Sequence, residues 1–257
     1  MIDRDGYFGE KIAERYDQPS SPAYQPDVIE STVDFLAELA AGGRALELAV
    51  GTGRIALPLA QRGVPVHGIE LSRAMVARMR AKPGGDDIGV TIGDMATTTV
   101  DTTMDGPFSL VFLVYNTIMN LTTQEAQVAC FRNAAAHLAP GGTFVIETMV
   151  PELRKIPAGQ NIVPFHSFHN SHNSTSGWAY SQYDTVTQAA NCHYISVTAD
   201  GRGEHREVPF RYVWPAELDL MAQLAGLRLR ERWDGWTRKP FADDSAQHVS
   251  VWEKPVD

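Results

Sequence analysis

Arg44-Ala-Leu-Glu-Leu-Ala-Val-Gly-Thr-Gly-Arg-Ile-Ala-Leu-Pro-Leu-Ala60 passes from a short apolar run through a glycine pair into a helix-like apolar pattern. It reads as strand, tight turn, helix. Gly51 and Gly53 lack a Cβ, so the backbone turns sharply and a ligand can come close, while the following helix N-terminus offers unpaired N–H groups. Such a turn at the end of a buried parallel strand cradles a nucleotide. Gly51-Thr-Gly-Arg-Ile-Ala56 satisfies the dinucleotide fingerprint G-x-G-x-x-A, and Glu70 stands 19 positions past Gly51, where a ribose-binding acid is expected.

Two features lie outside that fingerprint. Glu47 sits inside the strand before Gly51, and Gly93-Asp94-Met95 closes a third strand. With them the chain resembles class I S-adenosylmethionine-dependent methyltransferases, whose first motif is an acid followed by glycines at the second, fourth and sixth positions after it. Glu47, Gly51 and Gly53 match that motif, and Ala49 replaces its first glycine, the smallest change available.

The resemblance implies an α/β fold: a Rossmann-like core with a mostly parallel seven-stranded sheet and a reversed last strand. It also implies S-adenosyl-L-methionine as cofactor. In that likeness the Glu70 carboxylate accepts both ribose hydroxyls, with Leu71 beside it. Asp94 meets the adenine amino group, and Met95 packs on the ring. Glu47 lies near the methionine amino group, although the residues alone equally allow a buried acid that pairs with backbone or Arg44. Tyr16 in Arg15-Tyr-Asp17 resembles an N-terminal element that closes over the cofactor. The implied sheet order reverses between the first and fourth strands, and ligands bind at such a switch point. Tyr115, Asn116 and Asn120 would then face the transferred methyl and its acceptor.

Composition sets the limits around this reading. At 257 residues, with 44% hydrophobic and 21% charged residues, the chain can bury a sizeable core. A formal charge of −9 and no basic cluster interleaved with aromatics argue against a nucleic-acid partner. The Asn-Pro-Pro-Tyr motif of methyltransferases acting on nucleic-acid amines and glutamine is absent too. No long apolar span or leader pattern suggests a membrane or export, so a cytoplasmic protein is expected. Cys130 and Cys192 have no paired spacing and read as buried thiols. The excess of arginine over lysine and the abundance of alanine hint at a GC-rich bacterial source.

Along the chain, residues 1–44 read as a helical segment broken at Pro19-Ser-Ser-Pro22, and residues 45–150 as the cofactor-binding core. Within the core, strands 45–50, 65–70, 89–92, 108–114 and 143–148 alternate with helices, including one over 54–61 and one capped by Ser72. Thr122-Thr-Gln-Glu125 has the spacing of a capping box, and Pro140-Gly-Gly142 ends the helix it opens. Residues 151–213 read as an inserted antiparallel lid for the acceptor, with strands 178–187, 191–198 and 205–214. In the last of these, Val208, Phe210, Tyr212 and Trp214 alternate with Glu207, Pro209, Arg211 and Val213, the period of a half-buried strand. Residues 214–257 supply a helix opened by Pro215 and a terminal hairpin.

His166, His169 and His172 sit among polar residues that read as an exposed loop. Steps of three alternate faces in a strand and do not converge on a helix, so no metal site is expected. A single one of them, His166 or His169, is a candidate base on the acceptor side. The sequence thus supports a small-molecule N- or O-methyltransferase that relies on alignment of donor and acceptor. Two other classes share its features: an NAD(P)-dependent oxidoreductase using Glu70 on the nicotinamide ribose, and a protein that binds the methyl donor without consuming it.

Overall fold

Residues 6–17, 21–170 and 175–256 are described by the computed structural model. The N-terminal region holds a single-turn helix α1 (Glu10–Ala13) and a longer helix α2 (Pro26–Ala40). Pro26 opens α2, where a missing N–H costs nothing, and Ala41 closes it at φ 49°. The proline pair expected to break this region falls partly outside the described residues, since 18–20 are among those not described.

The core then alternates: β1 (Ala45–Leu48), α3 (Ala56–Gln61), β2 (Val66–Glu70), α4 (Arg73–Arg80), β3 (Gly89–Ile92), β4 (Phe108–Leu113), α5 (Gln124–His137) and β5 (Leu138–Met149). After a second sheet come α6 (Pro215–Leu224), β10 (Arg228–Trp233) and β11 (Gln247–Glu253). The seven core strands lie in the order β10-β11-β5-β4-β1-β2-β3. β11 runs antiparallel to both neighbours, so the reversed last strand is present.

Alternation along each strand distributes the core to both faces of this sheet. Leu46, Leu48, Val111, Leu113, Phe144 and Ile146 pack on α5 and α6. Ala45, Leu110, Phe112, Val145 and Val249 pack on the other side, against α2 and α3. Because β1 and β4 are parallel neighbours whose crossovers leave in opposite directions, their carboxyl ends open a crevice between them. The Gly51–Gly53 turn and Tyr115 both lie there.

The second sheet has four antiparallel strands: β6 (Ile162–Asn170), β7 (Thr175–Tyr183), β8 (Ala190–Val197) and β9 (Gly203–Val208). The lid therefore has one strand more than expected. β6 occupies the segment read as an exposed loop, and it carries His166 and His169 in register with Ala179 and Ser176. His172 lies outside the described residues.

The strand expected over 205–214 ends at Val208. Its period-two reading fails beyond that point, because Arg211 and Val213 are buried while Trp214 is 39% exposed. Arg211 is buried because its guanidinium has three partners: Gln127, Gln188 and Glu217 accept from it. Its backbone N–H donates to Met119 O at 2.9 Å. This network ties the end of the lid to α5 and α6.

Three local boundaries also move. α3 begins at Ala56 rather than at residue 54. The cap of α5 is Thr123, whose side chain accepts from Ala126 N at 3.1 Å, one position after the expected capping box. β5 includes the Pro140-Gly-Gly142 stretch, with Gly141 at φ 78° and its N–H on Lys254 O, so β11's continuation holds those residues in the sheet.

Candidate active site

β1 ends in a turn whose backbone visits left-handed space repeatedly: Ala49 at φ 56°, Gly51 at 57° and Gly53 at 78°. Each glycine has its own reason. A Cβ on Gly53 would stand 2.7 Å from Met79 Cγ, so α4 packs directly on the turn. A Cβ on Gly51 would meet nothing nearer than Ala49 O at 3.9 Å, which leaves open space in front of the turn for a ligand.

Ala49 occupies a conformation that costs an L-residue roughly 1–2 kcal/mol. Ala49→Gly relieves it, offset by about 0.4–1 kcal/mol of extra unfolded-chain entropy. The expected result is a more stable apoprotein, by about 1 kcal/mol, read as a higher urea midpoint with unchanged slope.

Glu70 ends β2 and is buried. Its Oε2 accepts from Gly51 N at 2.8 Å and its Oε1 from Ser72 N at 2.9 Å, so the carboxylate ties the glycine turn to the start of α4. A carboxylate accepts up to about four hydrogen bonds, so two backbone donors do not exhaust it. Ser72 caps α4 as expected, accepting from Met75 N at 3.1 Å, and donates to Phe8 O at 2.6 Å. Leu71 beside it is 44% exposed. Asp94 is exposed at the end of β3 and accepts from Ala96 N at 2.7 Å, an Asx turn, while Met95 is buried in the core.

Glu47 is almost fully buried, yet its Oε2 has no hydrogen-bond partner. It does not pair with Arg44, whose guanidinium instead reaches Asp105 at 3.3 Å and Gly106 O at 2.9 Å. Burial raises its pKa to about 8, against the opposing pull of Arg54 and of the Ala56 amide at the start of α3. A buried acid held by the Ala56 amide with its Oε2 left unpartnered fits a ligand that brings a cation or donor of its own.

The N-terminal region is latched over this turn. Asp17 Oδ1 accepts from Thr52 Oγ1 at 2.6 Å and from Tyr24 Oη at 3.1 Å, and Asp17 Oδ2 pairs with Lys82 Nζ at 2.7 Å. Although burial opposes it, the hydrogen bonds from Lys82 and Thr52 lower the Asp17 pKa. Tyr16, next to it, is pushed up to about 12, first by burial and then by Tyr115, so it stays a phenol. Asp17 was not among the sequence candidates; its partner is 35 positions away.

Beyond Tyr16 lies a cavity of about 860 Å³, walled by α1 on one side and the lid on the other, with Tyr16, Tyr115, Asn116 and Asn120 among its lining residues. Tyr115 and Asn116 both have φ 60°, and Tyr115 N donates to Glu147 Oε2 at 2.9 Å. Asn116 Oδ1 accepts from Met149 N at 2.6 Å, which fixes the amide so that its Nδ2 is the remaining donor. The turn role and the wall role of Asn116 therefore coexist.

Neither His166 nor His169 lines this cavity. His169 Nδ1 meets Ser176 Oγ at 2.9 Å, and the His166 ring stacks near Phe168. His205 borders the cavity, but alternation along β9 puts its ring on the opposite sheet face from Arg206. There it stacks on His193, with His193 Nδ1 and His205 Nε2 3.0 Å apart. Among the described residues, no cluster of three metal-ligating side chains occurs, and no helix is long and apolar enough to cross a membrane.

A family model described as a methyltransferase domain matches residues 45–142, from β1 into β5. The cypemycin N-terminal methyltransferase of a Streptomyces species is 26% identical over 254 residues, 93% of this chain and 97% of its own. The CcbJ methyltransferase from Streptomyces caelestis is 34% identical, with a TM-score of 0.83 over 97% of this chain and 98% of that one. The chain belongs to the class I S-adenosylmethionine-dependent methyltransferases. Its fold is shared by S-adenosylmethionine-bound CalS10, an amino pentose methyltransferase from Micromonospora echinaspora, at 22% identity and a TM-score of 0.66 over 89% of this chain and 90% of that one.

S-adenosylmethionine is thus the cofactor of this methyltransferase, and the nicotinamide alternative is set aside. The open space before Gly51 and the unpartnered Glu47 oxygen fit a cofactor that brings its own cationic donor.

Proposed function

We propose that this methyltransferase methylates an amine nitrogen on a small molecule held between α1 and the lid. The observation that carries this is the cavity lining: it joins the turn end of β4 at Tyr115 and Asn116, and among the described residues its one imidazole, His205, is turned onto His193 at 3.0 Å. Tyr16 and Tyr24 have raised pKa values, through burial first, and remain hydroxyl donors. The single lining carboxylate, Glu204, is ion-paired with Lys11 at 3.1 Å. An amine can arrive with its lone pair free, whereas a hydroxyl or carbon acid needs a base.

In this reading Glu47, Ala49, Gly51, Gly53, Glu70, Leu71, Asp94 and Met95 hold the donor, with Tyr16 closing over it. Tyr115 and Asn116 align the acceptor. Residues 1–44 act as the cofactor cover, 45–150 with 214–257 as the core, and 151–213 as the acceptor lid. When bound, S-adenosylmethionine supplies a methyl already activated on sulfonium. With the donor bound, the acceptor nitrogen would take that methyl group, the donor would leave as S-adenosylhomocysteine, and the ammonium proton would pass to water. The chain contributes alignment and exclusion of water, which account for much of such a barrier. The relatives point the same way: one is named for the N-terminus of cypemycin, and CalS10 for an amino pentose in calicheamicin biosynthesis.

The test is a panel of matched amine and alcohol acceptors with S-adenosylmethionine, read by mass spectrometry and product NMR. N-methylated products from amines alone are expected. Products methylated only on oxygen would overturn the nitrogen assignment. S-adenosylhomocysteine binding without any transfer would instead favour a protein that keeps the cofactor unconsumed.

A further inference from the structure

The cavity is electrostatically unlike the rest of the molecule. The chain carries a formal charge of −9, yet Lys11, Arg15 and Arg206 line this space against the one acid Glu204. All three cations act on Glu204, with the Lys11 hydrogen bond first. Lys11 and Glu204 are mostly exposed and neutralise each other at the rim.

Arg206 is the cation whose direction the fold sets. On β9 it is paired with Tyr194 of β8, and its guanidinium carbon sits 4.4 Å above the Tyr194 ring. Stacking of this kind holds the planar fork in place while leaving its N–H edge available for a carboxylate or phosphate. The hydroxyl of Tyr7, another lining residue, is buried and donates to no neighbour. Burial raises the Tyr7 pKa, opposed by the Arg206 charge and by a side-chain hydrogen bond from Arg206, so the phenol oxygen lies against the guanidinium and its O–H is the donor left over.

The same residues connect this corner to the reacting end. Tyr194, which packs under the Arg206 guanidinium, lines the same cavity as Tyr7 and Tyr115. Tyr115 in turn acts on Tyr16, which also feels Glu70. A molecule that fills the cavity meets Tyr115 and Asn116 after β4 and, on the second sheet, a stacked cation with a hydroxyl beside it.

We propose that the methyl acceptor carries an anionic group, a carboxylate or a phosphate, gripped by Arg206 and Tyr7 while its accepting nitrogen lies at Tyr115. This rests on the reading of the cavity as the acceptor site. It makes Arg206 a residue that sets specificity, since a neutral analogue would leave a stacked cation without its partner.

The probes are phenylacetate, phenyl phosphate and neutral phenylacetamide, titrated calorimetrically into the full chain with and without saturating S-adenosylhomocysteine. At least one anion is expected to bind about tenfold or more tighter than phenylacetamide, since a charge-assisted fork is at stake. Arg206→Gln should remove that preference and Arg206→Lys keep part of it, with S-adenosylhomocysteine affinity unchanged in both. Tighter phenylacetate points to a carboxylate acceptor, tighter phenyl phosphate to a phosphorylated one.

Equal binding of anion and amide overturns the proposal. So does no anion binding up to about 10 mM, or a preference that survives Arg206→Gln. An anion preference lost with Arg206, in a protein that methylates no amine, would count against the proposed reaction and leave the anion site standing.

Discussion

Glu70→Ala is expected to weaken S-adenosylhomocysteine binding by about a hundredfold and, at the same time, to lower the stability of the apoprotein. The two effects have one origin. A carboxylate accepting two ribose hydroxyls makes charge-assisted bonds of roughly 1.5–3 kcal/mol each, and losing about 3 kcal/mol in total is two decades of affinity. The structure adds a second cost. Gly51 N and Ser72 N lose their acceptor when the carboxylate goes, and each orphaned amide costs about 1–3 kcal/mol.

Calorimetry with S-adenosylhomocysteine, run well below the melting temperature of each variant and paired with urea unfolding, separates the two. Glu70→Gln serves as the milder companion. Its side-chain oxygen can satisfy one amide, but its NH₂ then faces the other amide donor, so it should lie between wild type and Glu70→Ala in stability. Unchanged affinity in a folded Glu70→Ala protein would remove Glu70 from the cofactor site, whatever happened to stability.

How much of this was legible in the sequence follows from the range over which each signal acts. The β1 turn could be read because glycine placement at 51 and 53 is a local steric requirement, and both positions adopt positive φ. The strand–helix alternation followed from periodicity, and the reversed β11 from the family resemblance, with the helix-free link before the final strand suiting a hairpin. β6 was missed because Phe165, His166, Ser167, Phe168 and His169 are all exposed, so no inward face imposes a period of two on the residues. Arg211 was assigned to an outward position because an arginine in an alternating run looks solvated. Only the arrival of Gln127, Gln188 and Glu217 from distant segments makes its burial tolerable.

The same holds at the site. Asp17 and Arg206 act through partners that the chain order does not reveal. Glu204-His-Arg-Glu207 reads as an ordinary charged edge strand until β8 brings Tyr194 beneath Arg206. The histidine-rich stretch drew attention by composition, yet the register of β6 on β7 keeps His166 and His169 out of the cavity lining. Composition flagged residue types, while the pairing of the second sheet decided which of them line the cavity.

Donor binding is expected to release a proton and to tighten with rising pH, by up to about tenfold per unit between pH 6 and 8, because of Glu47. Its pKa in the free protein is raised from 4.5 to about 8, chiefly by burial. The acid is therefore neutral at pH 7. The donor's amino-acid tail brings an ammonium, and a cation beside a buried carboxyl favours its charged form. If the bound complex holds Glu47 as carboxylate, binding must expel the proton that the free protein carries. Affinity then rises with pH until the free protein loses that proton anyway, near pH 8, and flattens above it.

The sign for folding is the opposite. Between pH 4.5 and about 8 the folded apoprotein keeps a proton that the unfolded chain has lost, so apoprotein stability falls as pH rises through that window. The slope approaches about 1.4 kcal/mol per unit in its middle. Glu47→Gln removes the titration. Its apoprotein should lose that decline, and its S-adenosylhomocysteine affinity should be weaker and flat with pH. Titrations at pH 7 in buffers of different ionisation enthalpy count the protons directly, with close to one expected for wild type and none for the variant. A wild-type protein that released no proton would mean that the ammonium is held elsewhere. The unpartnered oxygen of Glu47 would then belong to the strand rather than to the site.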